Sequence, residues 1–572
     1  MFYNTVIKKI LDNTLQNILG DNFKKNKKDF SIELSVNEKH GDLATNAAMV
    51  YSKVSQTSPI VLAKKIKEHL LKEQIINNVE ILKPGFINIF FNFDFWHQQL
   101  LRNFSSGILK KTKKINKKIN IEFVSANPTG LMHIGHARGA VLGDAIASIM
   151  EFHGYDVTRE YYVNDAGNQI NILFNTVKFY FENLRKKKKL ENINQKDLYP
   201  GEYIKNISTS LYNKIPNLDF IINKDKTKSI IVKIILNDIK QDLLKLGIQH
   251  DLFVSEKEIT SSKELDSLVE KLKKKNLVYE GFQETPKGAK QSEWKSQKQL
   301  LFKSKQLGDD SDRALIKNNG DITYFMSDII YHSIKVSKGY KVLVNIWGID
   351  HSGYVKRLKN ALSCLYDSLP DFNIKLTSLV NLIKDKKPIK MSKREGVYVT
   401  LRDVINEVGS DPLRYMMISR SPEKSIDFDF DLIKSKSKEN PVFYIQYAHA
   451  RCFSIKKTAI ELIDYKFDIT DLNLELLNLK EELKLIKILS SFTHILEKSA
   501  DNYEPHRLTN YLLDLSKNFH NYWSLGNLNS KYRILNVEDL EISKARLFLV
   551  ENIKKNLLNG LNILKINAPN SM

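Results

Sequence analysis

Residues 120–169 read NIEFVSANPTGLMHIGHARGAVLGDAIASIMEFHGYDVTREYYVNDAGNQ, and this stretch decides the fold. Its first residues are apolar and β-favouring, which predicts a buried strand over 119–124. The polar turn at 127–130 ends that strand, and apolar residues with helical spacing follow over 141–150. Gly154 ends the helix, and a second β-like run covers 156–163. The pattern predicts a strand–turn–helix–strand unit.

The turn before this helix carries His133 and His136 with Gly135 between them. A helix N-terminus offers free N–H groups and the positive end of a dipole, which suits phosphate. Two imidazoles can donate further hydrogen bonds to phosphate, and a glycine lets a flat base approach the backbone. An ordinary turn with surface histidines fits the same residues, whereas a metal site lacks an obvious third ligand.

The composition of the 572-residue chain bounds its class. Lysine and arginine number 88 against 66 aspartate and glutamate residues, a formal net charge of +22. This excess favours a polyanionic partner such as nucleic acid, although a lysine-, asparagine- and isoleucine-rich composition alone produces the same excess. Hydrophobic residues make up 42%, enough for packed cores in several domains, which excludes wholesale disorder.

Cysteine usage and hydropathy bear on the compartment. Cys364 and Cys452 are the only cysteines, so a disulfide framework and a cysteine-rich zinc site are both excluded. The N-terminus lacks the layout of a signal peptide, and no window reaches the roughly 20 apolar residues of a membrane span. We therefore expect a cytoplasmic protein without a membrane partner.

Residues 1–110 have the pattern of a small α+β domain. An apolar stripe between Val6 and Leu19 predicts a helix, and a turn at 40–46 leads into another helix. Phe86 opens an aromatic strand that could stack on nucleic acid, although such a strand by itself is more often part of a core. A lysine-rich connector at 110–118 follows.

Residues 111–435 alternate strands and helices, which predicts a Rossmann-like α/β domain with a parallel sheet. The charged segment near 171–290 is predicted to be a helical insertion. A β run over 342–347 leads to Asp350. A carboxylate at the C-terminal edge of a strand can accept hydrogen bonds from ribose hydroxyls, although Asp350 as a turn cap fits equally well.

A polar loop carries Lys390, Met391, Lys393 and Arg394. Such a loop can close on a forming pyrophosphate and stabilise transition-state charge. Alone it is typical of an exposed loop, and its combination with the histidine turn favours catalysis. From residue 436 to 572 the spacing is helical, which predicts an all-α C-terminal bundle.

Together these features resemble the class I aminoacyl-tRNA synthetases and, along nearly the whole chain, the arginyl-tRNA synthetase family. The motifs that carry the resemblance are HGDLATNAA at 40–48, GFIN at 85–88, EFVSANPTGLMHIGHARGAVLGD at 122–144, YYVNDAGNQ at 161–169, WGIDHSGY at 347–354, KMSKREG at 390–396, ENPVFYIQYAHAR at 439–451 and INAPNSM at 566–572. KMSKR departs from the commoner KMSKS only at its last position, and its lysines are intact.

The resemblance implies ATP-dependent activation of arginine with release of pyrophosphate, then transfer of arginyl to the 3′-terminal adenosine of tRNA(Arg). The implied ATP-binding residues are His133, Gly135, His136, Asp350, Lys390, Met391 and Lys393. Those implied to be catalytic are His133, His136, Lys390 and Lys393, with Mg²⁺ sharing the charge stabilisation. The arginine carboxylate is itself the nucleophile, so positioning and electrostatics should dominate catalysis.

The resemblance also implies the residues that recognise arginine. Glu122 and Asp328 would accept the planar guanidinium, Tyr324 would pack against or bond the side chain, and Asn127 and His136 would hold the backbone end. The alternative for Glu122 and Asp328 is a structural ion pair.

Contacts with tRNA are implied at both ends of the chain. Phe86 and Asn88 are the candidates in the N-terminal domain, and Tyr447 and Met572 are the candidates in the helical tail. The resemblance also implies a monomer without zinc.

Three alternatives remain open on the sequence. A cysteinyl-tRNA synthetase shares both motifs but needs zinc ligands, and neither cysteine lies in the sheet-core motifs. A nucleotidyltransferase would not need the basic helical tail. A non-catalytic tRNA-binding relative would not need intact His133, His136, Lys390 and Lys393. Exchange of pyrophosphate into ATP with arginine and tRNA separates these classes.

Overall fold

The structure is a computed structural model that describes residues 3–35, 40–105, 115–188, 198–260, 263–282, 298–389, 399–465, 468 and 471–572. Along these residues an antiparallel sheet with helices is followed by a parallel sheet with helices and then by a helical region. No helix in the described ranges is long and apolar enough to cross a membrane.

The N-terminal elements are α1 Tyr3–Leu19, α2 Asp21–Lys25, β1 Ile32–Leu34, β2 Leu43–Thr45, α3 Ala47–Ser55, α4 Pro59–Leu70, β3 Ile76–Leu82, β4 Phe86–Phe91 and α5 Phe93–Ser105. The described strands pair antiparallel in the order β1-β2-β4-β3. The stripe predicted between Val6 and Leu19 lies on α1, where Ile7, Leu11 and Leu15 are fully buried. This region therefore has its own core.

The central elements up to α11 are β5 Lys118–Glu122, α6 Ile134–Phe152, β6 Asp156–Val163, α7 Asn168–Arg185, α8 Glu202–Lys214, α9 Lys224–Lys245, β7 Leu252–Ser255, α10 Glu256–Thr260 and α11 Lys263–Lys274. The next are β8 Val278–Phe282, β9 Lys298–Phe302, β10 Arg313–Ile316, α12 Tyr324–Ser337, β11 Val342–Gly348, α13 Ser352–Leu365 and β12 Asp371–Thr377. The last are β13 Val380–Lys384, β14 Lys387–Ile389, α14 Leu401–Val408, α15 Ser410–Met417, β15 Ile426–Asp429 and α16 Phe430–Lys434.

The main sheet is parallel throughout, in the order β12-β11-β5-β6-β7 among the described strands. The chain enters at β5, adds β6 and β7 on one side, and then crosses to β11 and β12 on the other. The strand order therefore reverses between β5 and β11. In an open parallel sheet, ligands bind at the carboxyl ends of the strands beside such a switch point.

The prediction of a helical insertion near 171–290 needs a correction. Helices α7, α8 and α9 fit it, but the chain then returns to the main sheet as its edge strand β7. Strand β8 also belongs to a separate antiparallel sheet with β9 and β10. The charged residues on both sides of β7 hide this four-residue strand from a periodicity argument.

The C-terminal region contains four long helices within the described residues: α17 Pro441–Ile463, α18 Lys480–Asn502, α19 His506–Leu528 and α20 Leu540–Ile563. They pack on both preceding regions. Lys555 Nζ donates to the Phe104 carbonyl at 2.6 Å, and His97 Nε2 lies 3.1 Å from the Leu477 carbonyl oxygen. Lys565, just after α20, lies 2.7 Å from a carboxylate oxygen of Asp144 on α6.

Candidate active site

The two histidines of the turn cap helix α6 together. His133 Nδ1 accepts the Gly135 backbone N–H at 3.1 Å, and His136 Nδ1 accepts the His133 backbone N–H at 3.2 Å. The two rings stack with their centroids 3.8 Å apart. Because each Nδ1 accepts a hydrogen bond, a neutral ring carries its proton on Nε2, the atom that can donate to phosphate. The two predicted histidines thus form an ordered, capped N-terminus of helix α6.

Gly135 makes this arrangement possible sterically. A Cβ atom at this position would lie 2.9 Å from His133 Cε1 and 3.0 Å from His133 Nδ1. No real Cβ tolerates the first distance, so any side chain at residue 135 must displace the His133 ring. Gly135 itself is exposed, and its backbone is open to a ligand.

Helix α6 is held close to the sheet and to the segment that precedes the lysine loop. A Cβ on Gly143 would lie 2.2 Å from Phe123, so the helix touches the chain just after β5. Arg138, 2% exposed, donates to the carbonyls of Ser378 at 2.9 Å and Ser421 at 3.0 Å. The helix therefore orients both the histidine turn and the residues before β13.

Lys390, Met391, Lys393 and Arg394 lie outside the described residues. The chain just after them is described, and it contacts the histidine turn. Thr400 pairs with His133 in a backbone bridge, and the Leu401 N–H donates to the Met132 carbonyl at 2.8 Å. The far end of the lysine loop is thus anchored beside His133.

Asp350 lies at the carboxyl end of β11, next to β5 across the switch point. It sits in a short 3₁₀ turn at Ile349–His351, is exposed, and has its Oδ2 3.7 Å from His351 Nε2. In the described chain neither this turn nor α13 is capped by a side chain. The exposed carboxylate at the carboxyl end of β11 is compatible with the predicted ribose contact, which stays a prediction.

A cluster of acidic side chains lies on the face of the main sheet that helix α12 covers. Glu122 of β5 and Glu160 of β6 are register partners, so their side chains share one face of the sheet. Lys335 Nζ lies 2.8 Å from Glu122 Oε2 and 3.4 Å from Glu160 Oε1. The ion pair that was the alternative for Glu122 and Asp328 is therefore present, but the partner of Glu122 is Lys335.

Asp328 lies in the same cluster without a cationic partner among the described residues. The Tyr354 hydroxyl donates to its Oδ2 at 2.6 Å. Burial, together with the charges of Glu122 and Glu256, raises the pKa of Asp328 to about 7. Buried negative charge in excess of positive charge is unfavourable unless a proton or a cationic ligand neutralises it. The cluster therefore favours a cation.

Tyr324 and Asn127 lie on the two chain segments that carry the cluster, helix α12 and the chain after β5. Tyr324 is the first residue of α12, one turn before Asp328, and is 63% exposed. Asn127 follows β5 and donates from Nδ2 to Gln169 Oε1 at 2.9 Å. Their exposure leaves both side chains accessible to a ligand that enters the cluster.

Sequence reasoning missed five residues of the cluster, namely Glu160, Tyr162, Glu256, Lys335 and Tyr354. Lys335 lies seven residues after Asp328 on α12, which is two helical turns, so helical spacing could have placed it. Glu160 and Glu256 depend on the pairing register of β5, β6 and β7, for which the sequence carries no local signal.

The predicted tRNA contacts differ in exposure. Phe86 begins β4 and is 39% exposed, whereas Asn88 is 2% exposed within the same strand. The prediction for Asn88 does not fit this position, because β4 lies between β2 and β3 and a buried amide cannot reach tRNA. Ile87 and Ile89 are also buried, so both faces of the strand are covered.

Tyr447 and Met572 lie at one end of the helical region. Arg451 donates to the Tyr447 hydroxyl at 2.8 Å. Two neighbours of Tyr447 on α17 hold the chain end: Gln446 Nε2 donates to the Asn567 carbonyl, and His449 Nδ1 lies 2.9 Å from the Pro569 carbonyl oxygen. Met572 is exposed. The helix of Tyr447 and the last residues thus form one surface.

Three family models match successive parts of the chain. They are the arginyl tRNA synthetase N terminal domain at residues 5–91, the catalytic domain of tRNA synthetases class I (R) at 98–426 and the DALR anticodon binding domain at 445–572. No cluster of potential metal ligands occurs among the described residues.

Similar proteins match nearly the whole chain. Arginine–tRNA ligase of Wolbachia pipientis wMel is 41% identical over 554 residues, which is 94% of each chain. Arginine–tRNA ligase of Ehrlichia chaffeensis is 39% identical over 536 residues, 93% of this chain and 92% of that protein. The structure of Thermus thermophilus arginyl-tRNA synthetase has the same fold, with a TM-score of 0.69 at 18% identity over 98% of this chain and 100% of that one.

Proposed function

This chain belongs to the arginyl-tRNA synthetase family of class I and is an arginine–tRNA ligase, and on that premise we propose which residues perform each step. The rival classes, a cysteinyl-type synthetase and a non-catalytic relative, are not favoured, because the curated relatives carry the arginine–tRNA ligase name over more than nine tenths of the chain.

The arginine side chain binds in the acidic cluster. The observation that carries this assignment is the excess of carboxylate there: Glu122 and Glu160 share Lys335, while Asp328 has no cationic partner among the described residues. A guanidinium supplies the missing charge and donates paired hydrogen bonds to carboxylates. Tyr324 closes over the side chain.

The backbone end of arginine points toward the histidine turn. Asn127 and His136 hold its amino and carboxylate groups, because Asn127 lies between β5 and α6 and His136 lies in the first turn of α6, both at the switch point. The arginine carboxylate is thereby directed at the nucleotide, while its side chain remains under α12.

ATP binds at the N-terminus of α6. His133 and His136 donate from Nε2 to phosphate oxygens, Gly135 admits the adenine, and Asp350 accepts from the ribose. Lys390 and Lys393, with Met391 between them, complete the site from the loop whose far end adjoins His133. These cations stabilise the negative charge that grows on the departing pyrophosphate.

Activation needs no nucleophile from the protein. An oxygen of the arginine carboxylate attacks the α-phosphorus of ATP, the bond to the bridging oxygen breaks, and pyrophosphate leaves with the electron pair. A hydroxyl of the terminal adenosine of tRNA, the 2′-hydroxyl in class I enzymes, then takes the arginyl group and releases AMP. Positioning and electrostatic stabilisation supply the rate enhancement.

Magnesium enters with ATP as part of the substrate. Mg²⁺ is usually held by substrate phosphates, water and one or two carboxylates, so the absence of a dense ligand cluster from the described residues is compatible with it. Asp350 is the described carboxylate closest in sequence to the switch point after β11 and would be available there.

tRNA(Arg) contacts three domains, which we assign to residues 1–110, 111–435 and 436–572. Phe86 contacts it from the first domain, and Tyr447 and Met572 contact it from the third. The basic charge of the chain supports this extended contact. We also assign the chain a monomeric state and a cytoplasmic location, where two unpaired cysteines are stable.

The test of the arginine pocket is the variant Asp328→Asn. Loss of one charged hydrogen-bond partner should raise the KM for arginine roughly tenfold to a hundredfold and leave the KM for ATP nearly unchanged. The matched control is Asp321→Asn, an exposed residue just before α12. Equal changes in both KM values for Asp328→Asn would remove Asp328 from the pocket.

A further inference from the structure

We propose that Glu256 is a third carboxylate of the arginine pocket and that, with Glu122 and Asp328, it selects a guanidinium over a neutral group of the same shape. This inference rests on the function proposed above and names a specificity residue for it. No motif used in the sequence reasoning contains Glu256.

Strand parity identifies the face of the sheet that α12 covers at the end of β7. Side chains alternate between the two faces along a strand, and register partners in parallel strands share a face. Glu160 and Tyr162 of β6 therefore point the same way, and Val254 of β7, the partner of Tyr162, lies on the face that carries Glu122 and Glu160. Strand β7 ends at Ser255, and Glu256 begins helix α10, which packs on α12 at this face.

The residues on the opposite face of the sheet confirm this alternation of side chains. Tyr161 and its partner Phe253 stack with centroids 5.2 Å apart, and the Tyr161 hydroxyl donates to the Ala126 carbonyl at 2.7 Å. These residues alternate with Tyr162 and Val254, so they occupy the other side of the sheet. The register of the two strands therefore fixes the faces of Phe253 and Val254, just before helix α10.

Helix α10, which begins with Glu256, packs against α12 beside Asp328. The hydroxyls of Tyr162 and of Ser327, the residue before Asp328, both interact with the Glu256 carboxylate. The Tyr162 phenol lies among the charges of Glu256, Asp328 and Glu122, which together with burial raise its pKa. The charges of all three carboxylates thus act on one buried phenol, while the contact of Ser327 with Glu256 and the packing of α10 on α12 bring Glu256 to the helix of Asp328.

The carboxylate of Glu256 has an unused acceptor. Glu256 is 6% exposed, and its Oε2 has no hydrogen-bond partner among the described residues. Burial raises the pKa of Glu256, and it forms no ion pair with a described residue. A buried carboxylate without a cation is unfavourable in the unliganded protein, so this group is suited to a ligand that brings donors and positive charge.

The position of Glu256 is held from both sides. Asp165 accepts from the Ser255 hydroxyl through Oδ2 at 2.7 Å and from the Lys257 backbone N–H through Oδ1 at 3.0 Å. These bonds fix the residues immediately before and after Glu256. The side chain is therefore oriented before any ligand binds, as a specificity residue should be.

The chemistry of guanidinium explains why a third carboxylate helps. The group has five N–H donors in one plane, and two carboxylates that each accept a pair leave a donor unsatisfied. A third carboxylate accepts that donor and adds negative charge. A urea group of the same shape brings fewer donors and no charge, so it gains nothing from this extra acceptor. Discrimination between the two groups therefore depends on Glu256.

The experiment compares Glu256→Gln with Glu258→Gln, an exposed residue of the same helix, in the full chain. Aminoacylation is measured with arginine and with citrulline, its neutral urea analogue. Glu256→Gln should raise the KM for arginine about tenfold or more, leave the KM for ATP within about twofold, and narrow the preference for arginine over citrulline. Glu258→Gln should behave as the parent chain, and Glu256→Asp should partly restore the preference.

The Asp328→Asn variant, measured in parallel, distinguishes failure of the Glu256 proposal from failure of the proposed arginine pocket. An unchanged arginine KM for Glu256→Gln while Asp328→Asn raises it would overturn the role of Glu256 and leave the pocket in place. Unchanged values for both variants would overturn the proposed pocket itself. A Glu256→Gln chain that fails to fold, or that shifts the KM for arginine and for ATP alike, would mean that the carboxylate is structural and would also contradict the proposal.

Discussion

Lys335 and Glu122 form a buried ion pair, with Nζ 2.8 Å from Oε2 and side chains that are 2% and 7% exposed. Lys335 also lies 3.4 Å from Glu160, so it holds two carboxylates in place before any substrate arrives. The arginine pocket is therefore preorganised. Lys335 fixes the positions of Glu122 and Glu160, and the remaining carboxylates can bind a second cation, the guanidinium of arginine. The ion pair between Lys335 and Glu122 therefore affects both the stability of the fold and the binding of arginine.

Removal of Lys335 should destabilise the fold. In Lys335→Met two buried carboxylates lose their counter-charge, and breaking a buried pair in this way costs about 3–5 kcal/mol of unfolding free energy. Denaturant unfolding measures it, and Lys338→Met, an exposed position just after α12, is the control. Adding Glu160→Gln should recover part of the loss. If Lys335→Met unfolds at the same denaturant concentration as the control, the pair is not structural.

Arginine binding should strengthen as the pH rises through neutrality. The pKa of Asp328 is raised to about 7, chiefly by burial, and the guanidinium binds its ionised form. The KM for arginine should therefore fall between about pH 6 and pH 8, and Asp328→Asn should flatten this dependence. A pH-independent arginine KM in the parent chain, or the same slope in the variant, would contradict the assignment.

The same group makes an opposite contribution to folding. Because the pKa of Asp328 is raised on folding, the folded chain binds its proton more tightly than the unfolded chain. Its contribution to stability is full below the unfolded pKa and is lost as the pH rises through about 7. Substrate affinity and this part of the stability should therefore change in opposite directions over the same pH range.

Alanine at residue 135 should damage the ATP site specifically. The new Cβ would lie 2.9 Å from His133 Cε1 and must displace that ring, so kcat/KM for ATP should fall roughly tenfold or more. Gly139→Ala on the same helix is the matched control, since its Cβ would meet only Ile346 Cγ2, at an ordinary 3.7 Å. Equal activity of the two variants would show that the position of the His133 ring is unimportant.

Phe86 should matter for tRNA and not for arginine activation. Phe86→Ala should raise the KM for tRNA several-fold, because base–aromatic stacking contributes about 1–3 kcal/mol. Phe93→Ala, another exposed aromatic residue of the N-terminal region, is the control. The KM values for arginine and ATP should not change.

These point variants test the N-terminal region better than removal of residues 1–110. Helix α5 packs on α18 and α20, and Lys487 lies 2.5 Å from Asp42, so truncation would expose the helical core. A tRNA KM that is unchanged in Phe86→Ala would remove this residue from the tRNA surface.

Local patterns predicted the fold well wherever a long element carried them. The strand before the histidine turn, the helix that Gly154 ends and the four C-terminal helices all follow from apolar spacing. Strand β7 was not predicted from the sequence because it is only four residues long. Asn88 was named from the resemblance alone, and its burial follows from elements distant in sequence that cover both faces of β4.

The site was predictable only in part for a related reason. Glu122, Asp328 and the two histidines lie in motifs that resemble a known family, so they could be named from the sequence. Glu160 is brought to them by the register of β5 and β6, Glu256 by the packing of α10 on α12, and Lys335 by the packing of α12 on that face. Such relationships are long-range, and no local spacing encodes them.

The most direct test of the account is a crossed measurement of two KM values by pyrophosphate exchange with arginine, ATP and tRNA. Asp328→Asn should raise the KM for arginine and leave the KM for ATP nearly unchanged. Gly135→Ala should raise the KM for ATP more than the KM for arginine, because the histidine turn binds ATP and contacts only the backbone end of arginine through His136. If both variants raised both KM values in the same proportion, the two sites would not have the separate roles assigned to them.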